Sequence, residues 1–286
     1  MNQTNRRRIA VVTDSTAYLP PEIVEEYDIH VVPLCLIMGE KEWMDNVDID
    51  PPTFYELLKT SSDFPKTSQP TVASFHELFI KLSQEAEGIV VVAISDELSG
   101  TLDSARAAAA ELPDIPIEII DSRGTSMMLG YPALAAAQAA AAGGDLKTVA
   151  DAARALIGKA HIYFVVDTLE YLHRGGRIGA AAKLLGSALN LKPILQIQDG
   201  IIKPLAKVRT RRKALEKVYE LLAEQLAGAE RVHMAVINVA AQQEAARFKQ
   251  QLVQRFHPVE IMDTECSPVI GAHAGPGTVG VAFYAE

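Results

Sequence analysis

Three groups of hydroxyl side chains stand where apolar segments give way to helix-forming ones: Thr13, Ser15 and Thr16; Thr67 and Ser68; and Ser99 with Thr101. Ser99-Gly100-Thr101 is the most informative, lying between an apolar run at 88–94 and an Ala-rich segment at 101–112. Hydroxyls and unpaired N–H groups at a helix N-terminus favour an anion, because the donors and the helix dipole both face it. Taken singly, Ser99 or Thr101 is better explained as an ordinary helix cap. In open α/β sheets, however, ligands sit at the carboxyl ends of strands, and all three groups can converge there. Such a set suits a small anionic group without naming it. His273 adds an imidazole in a loop-like context, Ile270-Gly271-Ala272-His273-Ala274-Gly275-Pro276-Gly277, whereas His161 and His233 flank strands and read as structural or exposed.

Other chemistries are poorly supported. Gly275-Pro276-Gly277-Thr278-Val279-Gly280 matches G-x-G-x-x-G, but only six residues follow it and they read as a strand, so a glycine-dependent turn is expected rather than a dinucleotide site. No Walker A sequence and no G-x-S-x-G elbow is present. Asp45, Asp48 and Asp50 lack the spacing and glycine of a calcium loop and read as a solvated acidic loop. The seven histidines show no paired metal spacing, and Cys35 and Cys266 are too few for a disulfide scaffold or a four-thiolate zinc site; no metal is expected. Arg174, Arg177, Lys207, Arg209, Arg211 and Arg212 read either as a solvated face or as a docking patch for an acidic partner.

These residues need elements to hold them. The apolar run at 9–12 reads as a buried parallel strand, followed by a helix from Pro20-Pro21 to about Tyr27 and a strand at 30–37. A polar irregular stretch at 41–50, a short helix at 52–59 and a hydroxyl-rich loop at 66–71 come next, with Thr71 placed to cap a helix reaching about Glu87. Strands at 88–94 and 117–121 alternate with the helix at 101–112 and an Ala-rich helix ended by Gly143-Gly144. That alternation predicts a doubly wound, mainly parallel α/β domain. Beyond it lie a strand at 162–166, a Gly-rich turn at 174–179 and an Asp199-Gly200 hairpin. A helix at 211–226, a strand at 233–239, a helix to 254 and strands at 259–263 and 278–284 follow, which predicts an α+β domain. The expected division is 1–155 and 156–286, with the boundary falling within 151–161.

Length and composition agree with two ordinary domains. The chain has 286 residues, 49% hydrophobic and 22% charged, enough to bury a core without staples. A net charge of −9 excludes nucleic acid as the expected partner, since phosphate neutralisation needs a basic surface. Uncharged stretches at 124–144 and 266–285 contain proline and glycine and are poor spanning helices. The apolar run after Arg6-Arg7-Arg8 is too short for a signal peptide, so a soluble cytoplasmic protein is expected.

In order along the chain, Thr13-Asp14-Ser15, Lys66-Thr67-Ser68-Gln69-Pro70-Thr71, Leu98-Ser99-Gly100-Thr101 and Tyr171-Leu172-His173-Arg174-Gly175-Gly176-Arg177-Ile178 resemble motifs of the DegV family. Leu191-Lys192-Pro193-Ile194-Leu195, Lys207-Val208-Arg209 and Gly275-Pro276-Gly277 extend the resemblance over nearly the whole length. DegV proteins are bacterial two-domain fatty-acid-binding proteins, some of which are the acyl-carrying subunit of a fatty acid kinase. The resemblance implies that Thr67 and Ser99 hold the carboxylate of a long-chain fatty acid such as palmitate, with His273 near it. It also implies that Arg177 and Arg209 dock an ATP-binding kinase subunit whose acyl-phosphate product feeds phospholipid synthesis. No cofactor is implied, and the protein would be a lipid carrier, not an enzyme. In that picture the first domain supplies the carboxylate-binding loops and the second contributes to the acyl-chain pocket, for which Leu34, Leu36, Ile94, Leu184, Leu185 and Leu189 are candidates, although each is better read as plain core. Thr71, Asp96 and Arg174 depart from the usual family residues, and Asp96 adds an acid near the Ser99 loop. Two alternatives remain: an acyl hydrolase or transferase with Ser99 or Thr67 as nucleophile and His273 as base, and a lipid sensor without a kinase partner.

Overall fold

The computed structural model describes residues 7–186 and 191–286. The first apolar run forms β1 (Arg7–Asp14), followed by α1 (Pro21–Tyr27), which carries proline in its first turn. The apolar segment after it is not one strand. Pro33, which has no N–H to give a ladder, separates β2 (His30–Val32) from β3 (Cys35–Met38), and the two belong to different sheets. Next come β4 (Lys41–Met44), α2 (Pro51–Thr60) and β5 (Lys66–Ser68); the three short strands form a sheet in the order β4-β3-β5. Strand structure thus takes up 41–44 of the irregular stretch expected at 41–50 and 66–68 of the loop expected at 66–71. Thr71 caps α3 (Val72–Ser83) as expected, accepting from the Ser74 N–H at 3.1 Å.

β6 (Ala86–Ala93), α4 (Thr101–Ala110), β7 (Ile117–Asp121), α5 (Met127–Ala141) and α6 (Leu146–Leu156) complete this part. The strands run parallel in the order β2-β1-β6-β7. Successive residues of the two central strands serve opposite faces. Ile9, Val11, Val90 and Val92 pack with Leu129, Ala133, Val149 and Ala153, while Ala10, Val12, Ile89 and Val91 pack with Phe75, Phe79, Leu102 and Ala105. A sheet covered on both sides explains why its strands are continuously apolar. α6 covers the first part of the segment 151–161 where the sequence predicts a domain boundary, and the chain passes from one compact unit to the other after Gly158.

The rest of the chain folds as β8 (His161–Val165), α7 (Glu170–Arg174), a 3-10 turn (Gly179–Leu184), β9 (Lys192–Gln198), β10 (Ile201–Val208), α8 (Arg211–Gln225), β11 (Val232–Asn238), α9 (Gln242–Phe256), β12 (Glu260–Glu265), α10 (Pro268–Ala274) and β13 (Val279–Ala285). Its sheet has the order β10-β9-β8-β13-β11-β12, antiparallel throughout except for the β11–β12 pair. Asp199 and Gly200, at φ +55° and +82°, make the expected two-residue hairpin turn. Val165, Ile194, Val236 and Val281 bury one sheet face against Val218 and Leu222 of α8 and Phe248 and Leu252 of α9.

The protein is therefore α/β with a parallel-sheet first part and a second, α+β part. The two compact units do not follow the expected 1–155 and 156–286 division throughout. One comprises Met1–Cys35 and Ser68–Gly158, the other Leu36–Thr67 and Lys159–Glu286. The excursion 36–67 joins the second unit because Asp45 and Tyr55 bond to residues 266–269 there, as described below. Among the described residues no helix is long and apolar enough to cross a membrane.

Candidate functional site

In the second unit, α10 and β5 bring His273 and Thr67 together. Pro268 opens α10, and the buried Asp45 carboxylate receives the Ser267 hydroxyl at 2.6 Å and the Val269 N–H at 3.2 Å. Tyr55 donates its hydroxyl to the Cys266 carbonyl at 2.6 Å. A Cβ at Gly271 would stand 2.4 Å from the Tyr55 hydroxyl oxygen, so this helix is held at a distance only glycine permits. Burial, with Cys266, Glu265 and Asp45 adding to it, raises the Tyr55 pKa well above the usual phenol value and keeps it a donor. Burial likewise raises the Cys266 thiol, leaving it inert. The expectation of a solvated acidic loop therefore fails for Asp45, which is 1% exposed. Asp50 instead caps α2 through the Thr53 N–H at 2.8 Å, and Asp48 accepts from the Met44 N–H at 2.8 Å.

His273 lies in the last turn of α10, not in the loop its glycine-rich surroundings predict; the helix ends at Gly275, φ +78°. Its Nε2 is 2.8 Å from Thr67 Oγ1. Burial, reinforced by the positive charge of Arg177, lowers its pKa to about 4, so the ring is neutral near pH 7. Behind the ring, α7 closes with Gly175 N–H donating to Tyr171 O, Gly176 N–H to His173 O and Arg177 N–H to Leu172 O. The glycine motifs pack on neighbouring side chains. A Cβ on Gly175 would lie 2.2 Å from His273 Nδ1, and one on Gly275 would lie 2.4 Å from the Tyr171 ring.

In the first unit, Ser99 follows β6 in a tight turn, where its N–H and that of Leu98 both donate to Ser95 O. Ser99 Oγ and Thr101 Oγ1 are 2.9 Å apart. Gly100 is the N-cap of α4, and no side chain caps it. The bland capping role is thus unfilled, and the hydroxyl pair stands beside first-turn N–H groups that a helix cannot pair internally. Asp96 pairs with Arg106 at 2.8 Å.

In the third hydroxyl group Ser15 and Thr16 are engaged internally, while Thr13 Oγ1 is buried with no hydrogen-bond partner among the described residues. Fully buried Asp14 accepts from the Thr16 N–H at 2.9 Å, the Thr16 hydroxyl at 2.6 Å and the Ile94 N–H at 2.7 Å, and Ser15 Oγ accepts from the Leu34 N–H. Burial raises the Asp14 pKa against the pull of those bonds. This group ties the ends of β1 and β6 together. Thr67 falls in the second unit, and Ser99 and the Thr13 group in the first.

The arginines divide by role. Arg211 bonds Glu244 at 2.6 and 2.9 Å, Val165 O at 3.1 Å and Gly277 O at 2.6 Å, which makes it structural. Arg177 donates to Gly175 O at 2.9 Å, and Arg174 lies 3.9 Å over the Phe64 ring. Arg209, Lys207 and Arg212 are exposed. Among the candidate acyl-contacting residues, Leu34, Leu36 and Ile94 are buried, Leu184 is half-buried and Leu185 is exposed; Leu189 lies outside the described residues. Among the described residues no three His, Cys, Asp or Glu side chains stand together as metal ligands.

Of the site residues named from sequence, Thr67 and His273 lie together; the packing roles of Asp45, Tyr55 and Gly175 are not read from it. Only the glycine runs around 175 and 275 hinted at close packing.

A family described as "uncharacterised protein, DegV family" matches residues 8–286. A DegV domain-containing protein of Streptomyces coelicolor is 41% identical over 277 residues, covering 96% of this chain and 98% of its own. A structure titled as fatty acid binding of a DegV family protein from Thermus thermophilus superposes with a TM-score of 0.93 at 31% identity, covering 98% of this chain and 100% of its own. DegV from Bacillus subtilis, described as a fatty acid binding protein, gives 0.91 at 33%, with 98% and 100% covered.

Proposed function

The chain belongs to the DegV family, and from that premise we propose that it binds a long-chain fatty acid and presents it to a separate ATP-dependent kinase. The observation that carries this reading is the Thr67–His273 pair, a hydroxyl joined at 2.8 Å to an imidazole that is neutral near pH 7. A fatty acid couples a long apolar tail to one carboxylate. Burying the tail contributes about 0.8 kcal/mol per methylene, but the carboxylate cannot be buried without donors. From the family resemblance, Thr67, Ser99 and His273 are the proposed donors. Neutral donors satisfy the anion while leaving an oxygen nucleophilic enough to attack the γ-phosphate of ATP, giving acyl phosphate and ADP. The chain has no Walker A loop, so the nucleotide would come on the partner, with Arg177 and Arg209 proposed as its docking residues.

A hydroxyl–imidazole pair at hydrogen-bond distance also fits a nucleophile and its base. A hydrolase of this kind orients its imidazole through the other ring nitrogen. Among the described residues His273 Nδ1 has no hydrogen-bond partner, which favours the carrier. Native mass spectrometry of the purified protein, with gas chromatography of its organic extract, separates the readings. The carrier is supported by a near-stoichiometric adduct of fatty-acid mass. A protein that carries none and takes up none overturns it, and a burst of product from an activated acyl ester then establishes the hydrolase.

A further inference from the structure

We propose that Gly175 holds His273 in the tautomer protonated at Nε2, so that the ring donates to Thr67 Oγ1 and leaves the threonine hydrogen for the ligand. The inference rests on the fatty-acid reading for the identity of that ligand, but not for the tautomer itself.

Gly175 is not glycine for the sake of its backbone. Its φ and ψ are −75° and −7°, ordinary helical values open to any residue. What excludes a side chain is the imidazole, whose Nδ1 would lie 2.2 Å from a Cβ. Nδ1 therefore faces the Gly175 backbone carbon, and it is buried without a hydrogen-bond partner among the described residues. The neighbouring N–H groups are committed: Gly175 to Tyr171 O, Gly176 to His173 O, Arg177 to Leu172 O. The guanidinium of Arg177 donates to Gly175 O. Since Nδ1 has no partner of either kind among the described residues, a proton there would be a buried donor with no acceptor, which folded proteins rarely tolerate. A bare lone pair there meets a Cα–H, a weak but compatible contact. With one proton on a neutral ring, that proton belongs on Nε2.

The polarity of the chain of bonds follows. In the opposite tautomer Thr67 would spend its only hydrogen on Nε2 and turn lone pairs toward a carboxylate. In the assigned tautomer the order is Nε2–H to Oγ1, then Oγ1–H to a ligand acceptor, which matches an anionic headgroup.

The test is ¹⁵N-histidine NMR on the full chain, delipidated and loaded with palmitate, for the native protein and Gly175→Ala, with affinity measured in parallel. His273 is expected to show protonated Nε2 and bare Nδ1 in the native protein with or without palmitate. Gly175→Ala is expected to lose the slowly exchanging Nε2–H signal and to bind palmitate at least about tenfold more weakly, the scale of one hydrogen bond to a charged group. Thr67→Ser retains affinity and Thr67→Val loses it. A native His273 protonated at Nδ1 overturns the proposal, as does a Gly175→Ala protein with the Nε2–H signal unchanged. A native protein that shows the assigned tautomer but binds no fatty acid overturns the carrier reading and leaves this one standing.

Discussion

The carboxylate of Asp45 and the hydroxyl of Ser267, 222 positions apart in the chain, meet at 2.6 Å in a buried hydrogen bond. The same carboxylate takes the Val269 N–H, so one side chain anchors the start of the helix whose last turn carries His273. The segment that supplies Asp45 also supplies Thr67. One excursion from the parallel-sheet part therefore delivers both the hydroxyl of the pair and the anchor for its imidazole.

Asp45→Ala removes an acceptor from two buried donors, and a charged one. The expected cost is roughly 3 kcal/mol, the range for leaving partners of a charged group unpaired. Asp45→Asn keeps one acceptor oxygen and is expected to cost less. Urea denaturation reads both through the midpoint at unchanged slope. A destabilisation below about 0.5 kcal/mol for the alanine variant would remove Asp45 as the anchor.

Arg211 and Arg209 are two positions apart and predict opposite phenotypes. Arg211 is engaged with Glu244 and two carbonyls, so Arg211→Ala is expected to cost about 2–3 kcal/mol of stability. Arg209 is exposed, and Arg209→Glu is expected to change stability by less than about 0.5 kcal/mol. The latter should abolish co-purification with a kinase from native cells while retaining bound lipid. If Arg209→Glu and Arg177→Glu both keep a kinase bound, the docking assignment fails.

How much of this was legible depended on where the partners of each residue lie. β1 and β6 announce themselves because both faces are covered, giving unbroken apolar runs, and Asp199-Gly200 is a local turn chemistry. β4 and β5 are short and largely exposed, so no periodicity marks them. α10 combines a proline start with two glycines, one excused by Tyr55 and the other ending the helix, and composition alone reads that as a turn. Asp45 looked solvated because its partners are supplied by the last tenth or so of the chain. Hydroxyl clusters are legible in the sequence, but not which are engaged: Ser15 and Thr16 bond internally, whereas Ser99 leaves its helix uncapped.

Acidification tests His273 directly. Its folded pKa, about 4, lies below the unfolded value near 6.5 because burial and the Arg177 charge disfavour the imidazolium. The unfolded chain thus binds the proton more readily between those values. The contribution of His273 to stability is full above about pH 6.5, declines as pH falls toward 4, and is level below that. His273→Gln should flatten this part of the stability profile. Titration of the native ring near 6.5 by NMR would show that the side chain is not buried against Gly175.

Ser99 carries the last prediction. Ser99→Ala leaves α4 unaltered, because Gly100 rather than Ser99 occupies its N-cap, so the melting temperature should stay within about 2 °C. Removal of a hydroxyl donor to a carboxylate should nevertheless weaken fatty-acid retention about tenfold or more. The conservative Ser99→Thr change should restore most of it. The informative quantity is the contrast: a structural serine would move stability and affinity together, whereas a ligand donor moves affinity alone. If Ser99→Ala leaves both lipid retention and phosphorylation by the kinase unchanged, the hydroxyl pair with Thr101 is not part of the carboxylate site. Thr67 with His273 and the first-turn N–H groups of α4 would then be the donors left to test.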